Sequence, residues 1–299
     1  MSRGAPTVRD YSPEFVPTLL GQLRSLLGPT WERIRLRDER GQRARPQNPT
    51  RHPLAVLVEH AYLAAGNISR AEYPGNVPDL LALTAVVEIL AGARERDAFP
   101  EIVTQLATRE GYRHDMLVLG MVDLLRRYTS YDVRVFQSGV GGTRVVDFDF
   151  GESGGTRLAV ETKGPREFDG PTRAVTPEES DQAIARIWSK ATGGRTPQLR
   201  PDRPGVILTG GVTLRLESLP VIRDAAARWL QTHGRRHPAV HAIAIMTFIA
   251  VSVMNPPEIT PDGPRTLIQG FGRTRFEWAF NPFYNGPVRV ALAPEVSGT

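Results

Sequence analysis

Apolar residues recur at helical spacing through most of the chain up to Tyr128. This periodicity predicts an amphipathic helix from Pro13 to Leu27, because Phe15, Leu19 and Leu23 then share one side. Further helices are predicted over Leu54–Ala65, Val77–Arg94, Phe99–Arg109 and Tyr112–Tyr128. The last of these is apolar on most sides, so we expect it to be buried.

Beyond Tyr128 the pattern changes to short β-branched and aromatic runs separated by turn residues. Strands are predicted at Val133–Phe136, Val145–Phe150, Arg157–Lys163, Gly205–Thr209 and Ala239–Met254, with short ones at Thr266–Gly270, Phe276–Phe280 and Val288–Leu292. Two helices interrupt them. Thr176-Pro177-Glu178-Glu179 has the form of a capping box and starts a helix to about Ala191, and another covers Leu219–Thr232. The alternation of elements predicts an α/β fold.

The runs on either side of Gly151-Glu-Ser-Gly-Gly-Thr156 predict a β-hairpin with charged residues along its strands. Alternation places Asp147 and Asp149 on one face, and likewise Glu161 and Lys163. A five-residue loop from Glu152 to Thr156, centred on Gly154, sets Asp147 opposite Glu161 and Asp149 opposite Ala159. Both aspartates have the same parity, so alternation does not choose between them. Direct opposition favours Asp147 and leaves Asp149 as an auxiliary candidate.

Carboxylates gathered this closely repel one another unless a cation neutralises them. Mg²⁺ suits oxygen ligands of this kind, since it keeps several waters and binds through one or two carboxylates plus substrate phosphate. Lys163, two residues after Glu161, would hold its ammonium beside the same site. There it would orient or help to deprotonate an attacking water and stabilise charge on a phosphoryl group.

Asp147, thirteen intervening residues and then Glu161-Thr162-Lys163 resemble the D-x(n)-E-x-K signature of the PD-(D/E)xK nucleases. The resemblance implies a restriction-endonuclease-like mixed sheet with an α-β-β-β-α-β core and Mg²⁺-dependent phosphodiesterase activity. It assigns Asp147 and Glu161 to the metal, with the carbonyl of Thr162 as an extra ligand, and Lys163 to the water. Val146 stands where the signature often has proline. Gln182 is similar in placement to the glutamine that RecB-like members carry on the following helix, which makes it an auxiliary candidate.

The composition sharpens this motif. Only two of the 37 basic side chains are lysines, Lys163 and Lys190, and one of them stands where the nuclease signature needs it. An ordinary surface hairpin with solvated charges is the alternative interpretation. The net charge of +5 and the pI near 9.9 suit a polyanionic partner. The absence of cysteine excludes disulfides and thiol chemistry.

A basic segment from Trp31 to Arg51 admits two interpretations. It is either a solvated charged face or a flexible arm, kept extended by Pro46 and Pro53, that neutralises DNA phosphates. The arm would bind DNA through Arg35, Arg37, Arg40, Arg43 and Arg45.

The sequence as a whole predicts a helical, DNA-positioning region over residues 1–108 and a restriction-endonuclease-like catalytic core over residues 109–299. We expect a cytoplasmic protein without a membrane span, because the longest nearly apolar run, Ala239–Met254, has 16 residues. The predicted function is Mg²⁺-dependent cleavage of double-stranded DNA by a restriction or defence endonuclease that is a homodimer if it cuts both strands. The alternative is a DNA-binding or assembly module that keeps the fold without cleavage.

Overall fold

The computed structural model describes residues 9–11, 15–44, 51–69, 77–95, 99–135, 146–168, 174–193, 197–254, 258–260, 263–265 and 268–286. These residues form two compact units. The first comprises Met1–Asp115, Phe248–Arg273 and Gly298–Thr299, and the second comprises Met116–Thr247 and Thr274–Ser297.

The helices in chain order are α1 (Phe15–Leu27), α2 (Pro29–Ala44), α3 (Pro53–Ser69), α4 (Val77–Ala93), α5 (Phe99–Gln105), α6 (Arg109–Tyr128), α7 (Pro177–Thr192) and α8 (Ser218–His233). The strands are β1 (Arg9–Tyr11), β2 (Asp132–Val135), β3 (Phe148–Gly151), β4 (Arg157–Lys163), β5 (Gly205–Gly211), β6 (Val240–Met254), β7 (Glu258–Thr260), β8 (Gly263–Arg265) and β9 (Ile268–Phe280). Single 3₁₀ turns lie at Arg166–Phe168 and Gly234–Arg236.

The second unit is built on a mixed sheet with the strand order β9-β6-β5-β4-β3-β2. Strands β2, β3 and β4 follow one another as an antiparallel meander. Strand β5 is then added parallel to β4, and β6 parallel to β5, with α7 and α8 as the crossover helices. The α/β class predicted from the alternation of elements is therefore confirmed.

Helices α7 and α8 bury their apolar stripes on one face of this sheet. The cluster they form includes Ile184, Ile187 and Trp188 of α7 and Ile222 and Leu230 of α8, all of them buried. Ala159 of β4, Ile207 of β5 and Ile243 of β6 belong to the same cluster and supply its sheet side. Alternation along β4 places Glu161 and Lys163 on the same side of the strand as Ala159.

The start of α7 follows the chemistry predicted for it. Thr176 caps the helix by accepting a hydrogen bond from the N–H of Glu179 at 3.3 Å, and the Glu179 carboxylate accepts one from the N–H of Thr176 at 3.1 Å. Pro177 occupies the first turn, where its missing N–H leaves no donor to satisfy. This capping box sets the first residue of α7, the crossover helix between β4 and β5.

The final part of the sheet differs from the prediction of short separate strands. Residues from Ile268 to Phe280 form the single strand β9, which joins the predicted strands Thr266–Gly270 and Phe276–Phe280 because pairing within the sheet continues between them. The predicted strand Val288–Leu292 lies outside the described residues. Just after β9, the buried Asn281 donates from its side-chain amide to the carbonyls of Gly234, His237 and Val240 at 3.3, 3.3 and 2.9 Å. Asn281 thereby fastens the end of β9 to the turn between α8 and β6.

In the first unit, the basic segment is helical up to Ala44, as part of α2, and its described part is not an extended arm. Gly28, with φ of 51°, separates α2 from α1, and Pro29 starts the new helix. Trp31, Ile34 and Asp38 lie on the buried side of α2. The many arginines of the segment made this buried side hard to recognise from the sequence. Pro53 likewise begins α3 and does not keep the chain extended. Residues 45–50, which include Pro46, lie outside the described residues.

A buried polar cluster connects α2 to α3. The Asp38 carboxylate accepts hydrogen bonds from Gln42, from the Arg51 guanidinium at 2.9 Å and from the backbone N–H of His52 at 2.7 Å. Burial alone would raise the pKa of Asp38, but these donors outweigh it and lower that pKa below its usual value. The first unit thus holds a carboxylate ionised inside its core.

The neutral ring of His52 completes this cluster. One ring nitrogen, Nε2, lies 3.0 Å from the carbonyl of Leu106, and Nδ1 accepts the N–H of Leu54 at 3.2 Å. Burial lowers the pKa of His52 to about 4. None of the described helices combines the length and the apolar composition that crossing a bilayer demands.

Candidate active site

The predicted hairpin forms with the predicted register. Gly151 pairs with Arg157, Asp149 with Ala159 and Phe148 with Val160, so the five residues Glu152–Thr156 close the loop. Gly154 at the loop centre has φ of 76°, a conformation that residues with a Cβ adopt only under strain. The odd loop length places Asp149 opposite Ala159, as expected.

Asp147 lies just outside β3 and does not continue the ladder regularly. Its N–H donates to the carbonyl of Val160 at 3.0 Å, although the register assigns Val160 to Phe148. Its carboxylate oxygen Oδ2 accepts the backbone N–H of Thr162 at 2.6 Å. Asp147 is therefore hydrogen-bonded to Val160 and Thr162, the two chain neighbours of Glu161. The loop length had predicted that Asp147 would pair directly with Glu161 across the strands.

Glu161 and Lys163 form a direct ion pair on β4. Only 1% of the Glu161 side chain is exposed, and 21% of the Lys163 side chain. A carboxylate taken out of water this completely needs a cation beside it, because its desolvation costs several kcal/mol. Lys163 supplies that cation within the same strand.

The end of β4 is held by the neighbouring strand β5. Glu161 is paired with Ile207 and Lys163 with Thr209 in the parallel ladder. The Thr209 hydroxyl donates to the carbonyl of Lys163 at 2.7 Å. The backbone that carries the ion pair is thus fixed from β3 through Asp147 and from β5 through Thr209.

The remaining predicted site residues of this unit lie in different surroundings. Asp149 forms an ion pair with Arg157, which also contacts Asp132 of β2 at 2.9 Å, so Asp149 belongs to a charge network along the hairpin. Gln182 is on the exposed side of α7. The Thr162 side chain is fully buried. The structure thus brings Asp147, Glu161, Thr162 and Lys163 together, and engages Asp149 elsewhere.

Two of the five arginines predicted to bind DNA, Arg35 and Arg37, have close partners within the first unit. Arg35 pairs with Glu32 and Glu39 one helical turn away on either side. Arg37 donates to the carbonyl of Ala107 at 2.9 Å. Arg40 is exposed on α2, and Arg43 is exposed with Glu39 3.9 Å away. Arg45 lies outside the described residues.

Sequence reasoning did not single out Glu167 and Arg186, which meet close to the end of β4. Glu167 is in the 3₁₀ turn Arg166–Phe168, and its carboxylate lies 2.6 Å from the guanidinium of Arg186 on α7. Burial would raise the pKa of Glu167, but hydrogen bonds from Arg186 and Arg166 lower it below the usual value. The sequence offers little to predict this pair: Glu167 stands four residues after Lys163, and Arg186 is one of the polar residues on the following helix.

The donor set at Asp147 and Glu161 fits a hard divalent cation. Two carboxylates at one strand end are the hard oxygen ligands that Mg²⁺ prefers, with water completing its octahedral shell. Among the described residues no group of three or more histidine or acidic side chains that would hold a metal is found.

No family model, no curated protein and no solved structure matches this chain. The chain is a mixed α/β protein in which the buried Glu161 carboxylate contacts the Lys163 ammonium near the end of β4, and the Asp147 carboxylate accepts the backbone N–H of Thr162, the residue between them.

Proposed function

We propose that this chain is a metal-dependent phosphodiesterase, and more specifically a Mg²⁺-dependent endodeoxyribonuclease of the restriction or defence type. The observation that carries the proposal is the contact between Lys163 and the buried Glu161, with Asp147 anchored to the residue between them. One of only two lysines in the chain stands in that contact. The order α6-β2-β3-β4-α7-β5 supports the proposal, because it follows the α-β-β-β-α-β order of restriction-endonuclease-like cores.

Each residue of the site has a role that its chemistry allows. Asp147 and Glu161 would hold Mg²⁺ through their carboxylates, with the Thr162 carbonyl as a further oxygen. When bound, such an ion neutralises phosphate charge and makes water more acidic. Lys163 donates hydrogen bonds, so it orients the attacking water and stabilises negative charge that grows on the phosphoryl oxygens. The backbone contacts of Asp147 and Lys163 keep these groups in place.

The basic surface supports a polyanionic substrate. The chain carries a net charge of +5, and Arg40 and Arg43 are exposed on α2. Contacts of this kind position a nucleic acid without reading its sequence. Arg35 and Arg37 already have partners within the protein, so we assign them to holding α2 and expect a smaller contribution to DNA binding.

The test is cleavage of plasmid DNA on addition of MgCl₂ to the purified protein. We expect the wild type to cut, and Glu161→Gln, Asp147→Asn and Lys163→Ala to lose about a hundredfold or more of the rate, because each removes a group that acts on the reacting atoms. Lys190→Ala is the matched control, since it removes the only other lysine from the exposed side of α7.

Asp149 provides a second control within the hairpin. Because Arg157 already engages it, Asp149→Asn should reduce the rate less than Asp147→Asn. The reverse ranking would move the metal ligand two residues along the strand. Salt-sensitive DNA binding without cleavage, in Mg²⁺ or in Mn²⁺, would replace the nuclease by the non-cleaving binding module.

A further inference from the structure

The 3₁₀ turn Arg166–Phe168 is packed beside the end of β4. Only Gly164 and Pro165 separate it from Lys163. Phe168 is buried, and a Cβ at Gly211, the last residue of β5, would lie only 2.3 Å from the Phe168 carbonyl oxygen. Gly211 therefore lets the turn pack directly on the end of the parallel strands. Ligands of open α/β sheets bind outside the carboxyl ends of such strands, and this is where the turn lies.

Arg186 of α7 is joined to this turn through Glu167. The two side chains are 2.6 Å apart, and Arg166 pairs with the same carboxylate at 3.3 Å. Only 16% of Glu167 is exposed, whereas 48% of Arg186 is. The acid is therefore enclosed, while the guanidinium that it holds still faces solvent.

A guanidinium presents five N–H donors in a planar fork, and the contact to Glu167 at 2.6 Å is made by the nitrogen Nη2. The remaining N–H donors lie in the same plane as Nη2, and the contact to Glu167 orients that plane. Less side-chain entropy is therefore lost when these donors bind an anion. Phosphate is the anion that such a fork matches best, through paired charge-assisted hydrogen bonds.

We propose that Arg186 contacts a backbone phosphate of the bound nucleic acid beside the candidate active site, and that Glu167 is the positioning residue that holds Arg186 there. This inference rests on the proposed function for the identity of the ligand, a nucleic-acid strand that passes the end of β4. It assigns a substrate-binding role to two residues outside the Asp-Glu-Lys motif.

The experiment measures DNA binding without cleavage, so it is independent of catalysis. A short fluorescently labelled DNA duplex is titrated with protein in EDTA at several NaCl concentrations. Arg186→Gln should weaken binding about tenfold, as expected for one lost charged hydrogen-bond partner. It should also reduce the slope of log K against log salt by about 0.9, because one phosphate fewer is neutralised.

Two variants separate this role from a structural one. Glu167→Gln breaks the same ion pair but keeps the cation, so the salt slope should stay at the wild-type value. Arg228→Gln is the matched control, because Arg228 on α8 forms a similar exposed pair with Asp181 of α7 at 2.9 Å without touching the 3₁₀ turn. We expect wild-type affinity and slope for Arg228→Gln.

Equal slopes for Arg186→Gln and wild type would overturn the inference, as would a loss in Arg228→Gln as large as in Arg186→Gln. A wild-type protein that binds no duplex would overturn it as well. If the wild type binds the duplex with the predicted differences but does not cut in Mg²⁺, the phosphate contact stands and the nuclease proposal fails. The two failures are therefore distinguishable.

Discussion

At the scale of single residues, Glu161 is a carboxylate placed where water hardly reaches, and its charge is balanced by the ammonium two residues along the same strand. Strand alternation explains why these two side chains meet, since residues i and i+2 share a face. A lysine at this position therefore contributes to stability whether or not it also acts on a substrate. Arginine, which makes up the rest of the basic residues, would place a larger planar group in the same space.

Lys163→Met should consequently destabilise the protein by about 3 kcal/mol, because breaking one partner of a buried pair leaves an uncompensated charge. Chemical denaturation in EDTA measures the free energy of unfolding. The exposed Lys190→Met serves as the control and should change it little. The double variant with Glu161→Gln should recover much of the loss, and a Lys163→Met protein as stable as Lys190→Met would show that the pair does not matter.

At the scale of elements, the helix starts and turns that depend on neighbouring residues were predicted correctly from the sequence. The capping box at Thr176 and the five-residue loop around Gly154 each depend on residues adjacent in the chain, and both form as predicted. The irregular position of Asp147 was not predictable, because turn counting assumes that the ladder continues unbroken. The structure instead lets the side chain of Asp147 accept an N–H of β4.

The basic segment shows the opposite case. Its charge and its prolines left open a solvated charged face or an extended arm. Trp31 and Ile34 occur at helical spacing, and their burial selects the helix α2. Pairs such as Arg35 with Glu39 then stabilise the exposed side. Burial of two side chains in a sequence this polar is a tertiary effect, and a single sequence carries little signal for it.

The capping box of α7 gives a prediction at this scale. Thr176→Ala should cost about 1 kcal/mol of stability, since it removes the acceptor for the N–H of Glu179 at the start of the helix. Thr232→Ala is the control, because the Thr232 hydroxyl bonds only to the carbonyl of Arg228 within α8 and caps no helix start. Thermal unfolding of both variants measures the difference. Equal effects would mean that the capping bond contributes nothing specific.

At the scale of the whole molecule, stability should depend on pH through the buried histidine of the first unit. The folded-state pKa of His52 is lowered from 6.5 to about 4, so the unfolded chain binds its proton first. The stability it supports is complete above the unfolded pKa and is lost as the pH falls from 6.5 towards 4. The lowered pKa of His237, caused by burial and by the nearby Arg236 and His233, acts in the same direction.

We therefore expect the free energy of unfolding to fall by about 3 kcal/mol between pH 7 and pH 4 from His52 alone, at 1.36 kcal/mol per pKa unit. Urea unfolding at a series of pH values measures this slope. His52→Gln should flatten it substantially and leave the smaller contribution of His237. A slope unchanged in His52→Gln would assign the acid sensitivity to other groups.

The three carbonyls that Asn281 satisfies have a consequence for how the protein can be shortened. Gly234 and His237 precede β6 and Val240 is its first residue, yet their donor lies some forty residues later in the chain. A recombinant fragment that stopped at Phe280 would keep every described strand of the second unit and still expose those acceptors. Useful boundaries for expression consequently lie beyond Asn281, whatever the remaining tail contributes.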